Sequence, residues 1–147
     1  MSAKNAEYRK PLPLLTGMTQ ALTAAFYRYC KAGELRFQRC TGCGTWRHVP
    51  RPMCAECGSW DFEWAKSGGR GKVFTWTVVC RVMHPDFTEV PYAPAVIEME
   101  EGVRLVSVVV DCAPENLEHG MPVEVCFDAL TDEVTLPKFR SSNVAAR

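Results

Sequence analysis

The amino-acid sequence predicts a mainly β protein with one N-terminal helix, a small cysteine-rich unit and a five-stranded barrel. Three observations lead to this prediction: a short stretch of helical periodicity, two closely spaced cysteine pairs, and five strand-like runs in the second half. Hydrophobic residues make up 47% of the 147 residues and charged residues 23%, which is globular composition. The length suits one ordinary domain, or two very small ones that share an interface.

The helix is predicted over residues 19–32, after an extended, proline-containing arm at residues 1–15. Apolar residues recur there at helical spacing, and Gly33 suits the position just after a helix end. The stripe consists of Leu22, Ala25, Phe26, Tyr29 and Cys30. Two interpretations stay open: the helix packs on its own domain, or it presents Phe26 and Tyr29 to another protein.

Two Cys-x-x-Cys-Gly units, ten residues apart, predict a metal site. Two sulfurs three positions apart can face one ion if the backbone turns tightly, and a glycine after the second cysteine permits that turn. The four ligands are Cys40, Cys43, Cys54 and Cys57. Four thiolates complete the tetrahedral shell of structural Zn²⁺, so we expect a compact zinc ribbon without an open catalytic position. Iron in the same four thiolates stays open as an alternative.

Five strand-like runs follow residues 67–71, a glycine-rich segment that is predicted to be a flexible linker. The runs are rich in β-branched and aromatic residues, and a short helical turn near residues 114–117 separates the third from the fourth. They cover residues 73–83, 95–100, 103–110, 123–127 and 134–136. Five strands with one short helix in that position are typical of a small barrel of the OB type.

The remaining cysteines predict no reaction centre. Cys80 and His84 form the one nearby Cys/His pair in the sequence, but in an extended strand they would lie about 13 Å apart at ~3.3 Å per residue. That distance is too long for a base to take the thiol proton. We expect all four remaining cysteines to be small buried hydrophobes, namely Cys30, Cys80, Cys112 and Cys126.

Charge is balanced overall but unevenly distributed along the chain. Residues 1–70 carry 11 basic and 5 acidic side chains, whereas residues 71–147 carry 6 basic and 12 acidic ones. The arginines near the cysteine pairs could meet an acidic protein face or a phosphate group. They are Arg36, Arg39, Arg47 and Arg51. An OB groove that follows phosphates should be positive, so the acidic second half makes nucleic acid an unlikely partner.

Nothing in the sequence predicts a membrane protein. No run approaches the ~18 apolar residues of a membrane helix, and the charged N-terminus does not resemble a secretion signal. We therefore expect a cytoplasmic protein, in which the 8 cysteines serve as metal ligands and buried thiols rather than disulfides.

Several ordered segments together resemble a known protein family: the bacterial and archaeal acyl-CoA-associated proteins built from an N-terminal helix, a rubredoxin-like zinc ribbon and an OB fold. The resemblance covers roughly residues 20–140. The segments that carry it are residues 33–40, 49–54, 67–73, 90–92, 120–123 and 136–140. It implies four parts: an arm and helix (1–34), a zinc ribbon (35–66), an OB barrel (67–140) and a disordered tail (141–147).

The resemblance also implies a function. Such proteins are non-catalytic accessory subunits of thiolase-like enzymes (thiolases, synthases, acyltransferases and aldolases) or of hydratases that act on acyl-CoA thioesters. The expected assembly is a hetero-oligomer that degrades steroids, fatty acids or aromatic compounds, with coenzyme A near the interface. The partner enzyme would supply the catalytic groups.

Two sets of contact residues follow as expectations. Arg70 and Lys72 flank the predicted linker and could reach a phosphate of coenzyme A. The partner interface is expected at Phe26, Tyr29, Lys138, Phe139 and Arg140. Two alternatives stay open: a zinc-ribbon and OB protein that binds single-stranded nucleic acid, and an enzyme that acts without a partner.

Overall fold

The fold is described from a computed structural model that covers residues 18–85 and 88–142, with side chains from residue 21 onward. The predicted arm at residues 1–15 and the chain beyond residue 142 lie outside the described residues. The elements are α1 (Met18–Lys31), β1 (Arg36–Cys40), β2 (Trp46–Arg47), β3 (Phe62–Lys66), β4 (Arg70–Trp76), β5 (Pro94–Met99), β6 (Arg104–Val108), a 3₁₀ turn (Pro114–Asn116), β7 (Pro122–Ala129) and β8 (Thr135–Ser141). Among the described residues, no helix has the length and apolar character needed to cross a bilayer.

Helix α1 ends where the sequence predicts. Gly33 adopts a positive φ of 78° and donates its N–H to the carbonyl of Cys30, while Glu34 donates to Tyr29. These two bonds form the Schellman arrangement that satisfies the last carbonyls of a helix. The buried face of α1 carries Phe26 and Cys30, which are 4% and 0% exposed. The helix therefore packs on its own domain, and the ring of Phe26 lies in the core, which leaves little of its surface for the expected partner contact.

The ribbon is a three-stranded antiparallel sheet in the order β2-β1-β3. Strand β1 lies in the middle and buries Phe37 completely, in contact with the α1 ring of Phe26 at a centroid distance of 6.5 Å. The last strand of the ribbon begins at Phe62, so Trp60 lies outside the sheet. Its side chain is 61% exposed.

The barrel is a curled antiparallel sheet in the order β6-β5-β4-β7-β8, which confirms the OB-type prediction. A parallel bridge between Val109 and Phe139 brings the two ends of the sheet together. Alternate residues of the strands point inward and form one core. Its most enclosed members are Val73, Ile97, Val123 and Phe139, all at 0–1% exposure.

Two strands differ from the sequence prediction. Strand β4 ends at Trp76 instead of continuing to residue 83, and among residues 77–83 the described bridge is that of Val79 with Tyr92. Strand β8 continues through Pro137, because an edge strand needs hydrogen bonds along one side only. Residues 138–140 therefore belong to β8 and are not a tail after the last strand.

The glycine-rich segment at residues 67–71 is an ordered junction, and its prediction as a flexible linker is wrong. Ser67 donates its N–H to Leu35 of the ribbon at 2.8 Å, and Gly68 donates to the Glu101 carboxylate at 2.9 Å. Strand β4 already begins at Arg70. A Cβ at Gly71 would lie 2.5 Å from the carbonyl oxygen of Glu98, so only glycine lets these strands approach. The backbone thus links ribbon and barrel directly.

This close approach predicts that Gly71→Ala lowers the free energy of unfolding by about 1–3 kcal/mol, because β4 and β5 must separate to admit the methyl group. Gly68→Ala is the matched control, since a Cβ there meets nothing within 4 Å. That variant should leave stability unchanged or raise it by up to about 1 kcal/mol. Urea denaturation of both purified variants measures the difference; equal stabilities would contradict the role given to Gly71.

Candidate metal centre

The four predicted ligands lie on two similar turns. Cys40 ends β1, and Gly44 closes the first turn by donating its N–H to the Cys40 carbonyl at 2.8 Å. In the second turn Gly58 donates to Cys54 at 2.9 Å. Both glycines have positive φ, at 78° and 74°. The sequence prediction that a glycine permits each turn is confirmed.

The four sulfurs come together as a metal site requires. All four Sγ atoms lie within 4.8 Å of one another, with 3.6 Å between Cys40 and Cys57 and 3.7 Å between Cys43 and Cys54. A tetrahedron with Zn–S bonds of 2.3 Å has edges of about 3.8 Å. A disulfide would need about 2.05 Å, so the cysteines are free thiols.

Backbone N–H groups near the sulfurs favour ionised thiolates, whereas the neighbouring sulfurs oppose ionisation of one another. The backbone N–H of Cys43 lowers the pKa of the Cys40 thiol to about 6. At Cys57 the N–H of Ser59 also lowers the pKa, but the thiols of Cys40 and Cys43 oppose ionisation, and the pKa rises to about 12. One cation among the four sulfurs removes this repulsion, and four thiolates fill a tetrahedral shell. The donor set therefore fits a structural zinc ion that cross-links the two turns.

The other cysteines stay apart from this cluster. Among the described residues, the four ligands form the one group of three or more metal-binding side chains. Burial raises the pKa of Cys30 to about 12, and burial also raises the pKa of Cys112 and Cys126. Cys80 is exposed. The prediction of a small buried hydrophobe is confirmed for Cys30, holds only in part for the half-buried Cys112 and Cys126, and is wrong for Cys80.

The arginines near the metal site contact the ribbon itself. Arg36 binds Glu34 at 2.6 Å and covers the Tyr29 ring at 5.1 Å. Arg39 lies 3.8 Å from Glu63. Arg47 donates to Gln38 and to the carbonyl of Arg51. The guanidinium groups of Arg36, Arg39 and Arg47 thus make contacts within the chain itself.

Arg70 and Lys72 lie two residues apart on β4, so both face outward from the barrel. Both side chains are exposed, and Lys72 Nζ lies 3.5 Å from Glu98. Glu98 also accepts a 2.9 Å bond from Arg104, whose guanidinium covers the Phe74 ring at 3.7 Å. The structure therefore adds an exposed aromatic ring to the two predicted cations.

The other predicted contact residues are divided between core and surface. Phe139 is 0% exposed and forms part of the barrel core, so its expected contact with a partner is wrong. Lys138 pairs with Asp128, and Arg140 pairs with Glu124 at 2.9 Å. Tyr29 is half-buried beside Trp64, at a ring distance of 5.7 Å. Tyr29, Lys138 and Arg140 remain at the surface.

Sequence reasoning missed the most exposed apolar side chains. Met83 is 78% exposed, Val106 is 72% exposed and Trp60 is 61% exposed. Met83 and Val106 lie in runs that were predicted to be strands, where alternation alone does not say which face is covered. Their exposure depends on the shorter β4 and on the position of β6 at the end of the sheet order, and Trp60 is exposed because it precedes β3.

A tetrathiolate ribbon joined to an OB barrel defines a class of two-part zinc proteins, and comparison with known proteins identifies the family. The family described as the ChsH2 rubredoxin-like zinc ribbon domain matches residues 29–63, and the ChsH2 C-terminal OB-fold domain matches residues 64–128. A DUF35 domain-containing scaffold protein of Methanocaldococcus jannaschii is 41% identical over 108 residues, which are 72% of this chain and 73% of that protein. The chain belongs to the ChsH2-type DUF35 family.

Two further similar proteins have names that mention an enzyme. A probable enoyl-CoA hydratase alpha subunit of Thermomonospora curvata is 41% identical over 117 residues, 80% of this chain and 36% of that protein. The chain thus spans about a third of that subunit. The solved structure of an Ltp2-ChsH2(DUF35) aldolase contains a chain that is 38% identical, with a TM-score of 0.79 over 88% of this chain and 98% of that one.

The metal site predicts that Cys54→Ser releases the ion and unfolds the ribbon, because three thiolates bind zinc far less tightly than four. Cys112→Ser is the control, since Cys112 lies outside the cluster. Elemental analysis of purified protein should find about one metal ion per chain in the control and a large loss in Cys54→Ser. It also distinguishes zinc from iron. A metal-loaded, folded Cys54→Ser protein would refute the site.

Proposed function

We propose that this chain is a non-catalytic accessory subunit that stabilises an acyl-CoA-processing enzyme of the thiolase fold. The observation that carries this proposal is the likeness to nearly the whole length of a ChsH2(DUF35) chain from an Ltp2-ChsH2 aldolase. Relatives that are named as a scaffold protein and as a hydratase subunit support the same role. A hydratase partner is the alternative within this proposal, and degradation of steroids, fatty acids or aromatic compounds is the proposed context.

The metal chemistry supports a scaffold role. With four thiolates around it, a zinc ion keeps no position for water or substrate and acts as a cross-link. The catalytic cysteine or base would then belong to the partner enzyme. This chain would contribute a rigid surface, since the helix, the ribbon and the barrel share core contacts.

We further propose that Arg70 and Lys72 bind a phosphate of coenzyme A at the interface with the enzyme. Both cations point to the same side of the barrel, and the Lys72 side chain is 58% exposed. Phe74 continues that row and offers a ring on which an adenine could stack. The ordered junction supports this proposal, because fixed cations lose less conformational entropy on binding than cations on a flexible linker.

Surface residues at the helix and at β8 remain proposed contacts with the enzyme: Tyr29, Lys138 and Arg140.

The nucleic-acid alternative receives no support from the outer face of the barrel. Acidic and basic side chains alternate there, as in the pairs of Arg104 with Glu98 and Arg140 with Glu124. A surface that follows phosphates should instead be uniformly positive.

The proposal predicts that the tagged chain, expressed in its native host, captures a thiolase-like or hydratase chain in stoichiometric amount. Mass spectrometry of the complex after size-exclusion chromatography identifies the partner. The isolated chain should not turn over an acyl-CoA, whereas the complex should. Turnover by the isolated chain, or its recovery as a monomer under all conditions, would contradict the accessory role.

The coenzyme A site predicts that Arg70→Gln with Lys72→Gln raises the apparent KM of the complex for its CoA substrate about 5- to 30-fold, because the two exposed, solvent-screened charge contacts together contribute about 1–2 kcal/mol. The value of kcat should change little. Arg28→Gln, an exposed cation on α1, is the control. An unchanged KM in the double variant removes this site and leaves the accessory role intact.

A further inference from the structure

The barrel is incompletely closed between its two end strands. Strand β6 pairs with β5 along its whole length, but among the described residues its backbone pairing with β8 on the other side is limited to the bridge of Val109 with Phe139. Val110 donates its N–H to the carbonyl of Phe139 at 2.7 Å and completes that bridge. Within the described part of the chain, residues 104–106 have no ladder partner on this side.

The direction of the free backbone groups follows from the hairpin register. Met99 donates its N–H to the carbonyl of Val103, so these two residues form a hydrogen-bonded pair. Such pairs alternate along an antiparallel ladder, which makes Leu105 with Ile97 the next one. The N–H and C=O groups of Arg104 and Val106 therefore point away from β5 and toward the gap.

The cause of the gap is a proline. Continued parallel pairing from the bridge would require the N–H of residue 137 to bind the carbonyl of Val106. That residue is Pro137, which has no N–H. The hydroxyl of Ser107 instead donates to the carbonyl of Pro137 at 2.8 Å. The ladder thus ends before it can use the backbone of Arg104 and Val106.

A groove of about 580 Å³ lies along this gap, and we call it the β6 groove. Strand β6 forms one wall together with Pro94 and Val96 of β5; α1, residues 48–50 and residues 136–138 form the rest. Most of its surface is apolar, and Val106 and Val49 in it are 72% and 58% exposed. His48 is neutral there because burial lowers its pKa to about 4. The described lining includes the cations Arg104 and Lys138 and no acidic side chain.

We propose that the β6 groove binds an extended segment of another protein as an added strand, with apolar residues at every second position and an acidic residue beside Arg104 or Lys138. Unpaired backbone donors and acceptors at strand spacing require an occupant that carries the same groups. A fatty acyl chain carries none. Arg104 and Lys138 already pair with Glu98 and Asp128. An acidic segment can still add to these pairs, whereas a second copy would bring a further Arg104 and Lys138 to the same groove, which favours the acidic segment. That the segment belongs to the acyl-CoA enzyme rests on the proposed function.

The first experiment uses the isolated chain and a defined probe. The probe is the blocked peptide Glu-Val-Thr-Val-Thr-Val-Thr-Glu, and its control has the central amides N-methylated, which removes backbone donors and keeps the side chains. Titration followed by amide NMR should show binding of the probe, with slowed hydrogen exchange at Arg104 and Val106. The control peptide should bind about tenfold more weakly.

Two variants test the backbone contribution. Val106→Pro removes an N–H that points into the gap and is not used by the β5 ladder, and an edge strand tolerates this change. It should weaken probe binding about tenfold, whereas Val106→Thr, which keeps the N–H and the branched shape, should bind as the wild type does. Should Val106→Pro fail to fold, the exchange rates of the wild-type amides with and without probe decide the question.

Several results would overturn the proposal. These are equal binding of the two peptides, unchanged exchange at Arg104 and Val106 with saturating probe, concentration-dependent dimerisation that buries β6, and displacement of the probe by decanoate.

In the native complex, Val106→Pro should reduce enzyme recovery about tenfold relative to Val106→Thr. Full recovery of enzyme by Val106→Pro removes this docking site while the accessory role stands. No enzyme recovered by the wild type counts against the accessory role alone, because the peptide titration tests the groove independently.

Discussion

The tetrathiolate centre is the constraint on which the rest of the structure depends. The ribbon has two short turns and a three-stranded sheet, with few buried apolar side chains of its own. Zinc binding contributes on the order of 10–16 kcal/mol in small modules of this kind, which is enough to order such a segment. Because Cys40 is both a ligand and the last residue of β1, the ion fixes the strand that carries Phe37 into the core.

A buried polar cluster around Gln38 connects β1, which ends at the metal ligand Cys40, with the rest of the ribbon. Gln38 is 0% exposed, and its carbonyl oxygen accepts hydrogen bonds from Arg47 and from the backbone N–H of Arg51. Its amide donates to the carbonyl of Arg51 at 2.9 Å. Every polar group of the Gln38 side chain therefore has a partner, and β1 is tied to the segment that leads into the second cysteine turn. Satisfied buried polar groups of this kind specify one arrangement of a small sheet.

The three parts of the chain act as one packed unit. The rings of Phe26, Phe37 and His48 meet where helix, ribbon and barrel join, with centroid distances of 5.0–6.5 Å. The ordered junction at residues 67–71 adds backbone hydrogen bonds between ribbon and barrel. Shared packing orders the surface of all three parts in advance, so less conformational entropy is lost on binding than with a flexible tether. Within the described residues this packing leaves the edge of β6 without a ladder partner, because Pro137 stops the ladder that would cover it.

The sequence by itself determined the metal centre, the helix end at Gly33 and the number and order of the barrel strands. These features depend on local spacing: two thiols three residues apart, a glycine where φ is positive, and alternating apolar residues. Only the tertiary structure decided which faces are covered. It placed Phe26 and Phe139 in the core, made an ordered junction of a glycine-rich segment, and used the arginines of the ribbon in internal pairs. The physical reason is that burial and pairing depend on neighbours distant in the chain, as the contact of Gly71 with Glu98 and the bridge of Val109 with Phe139 illustrate.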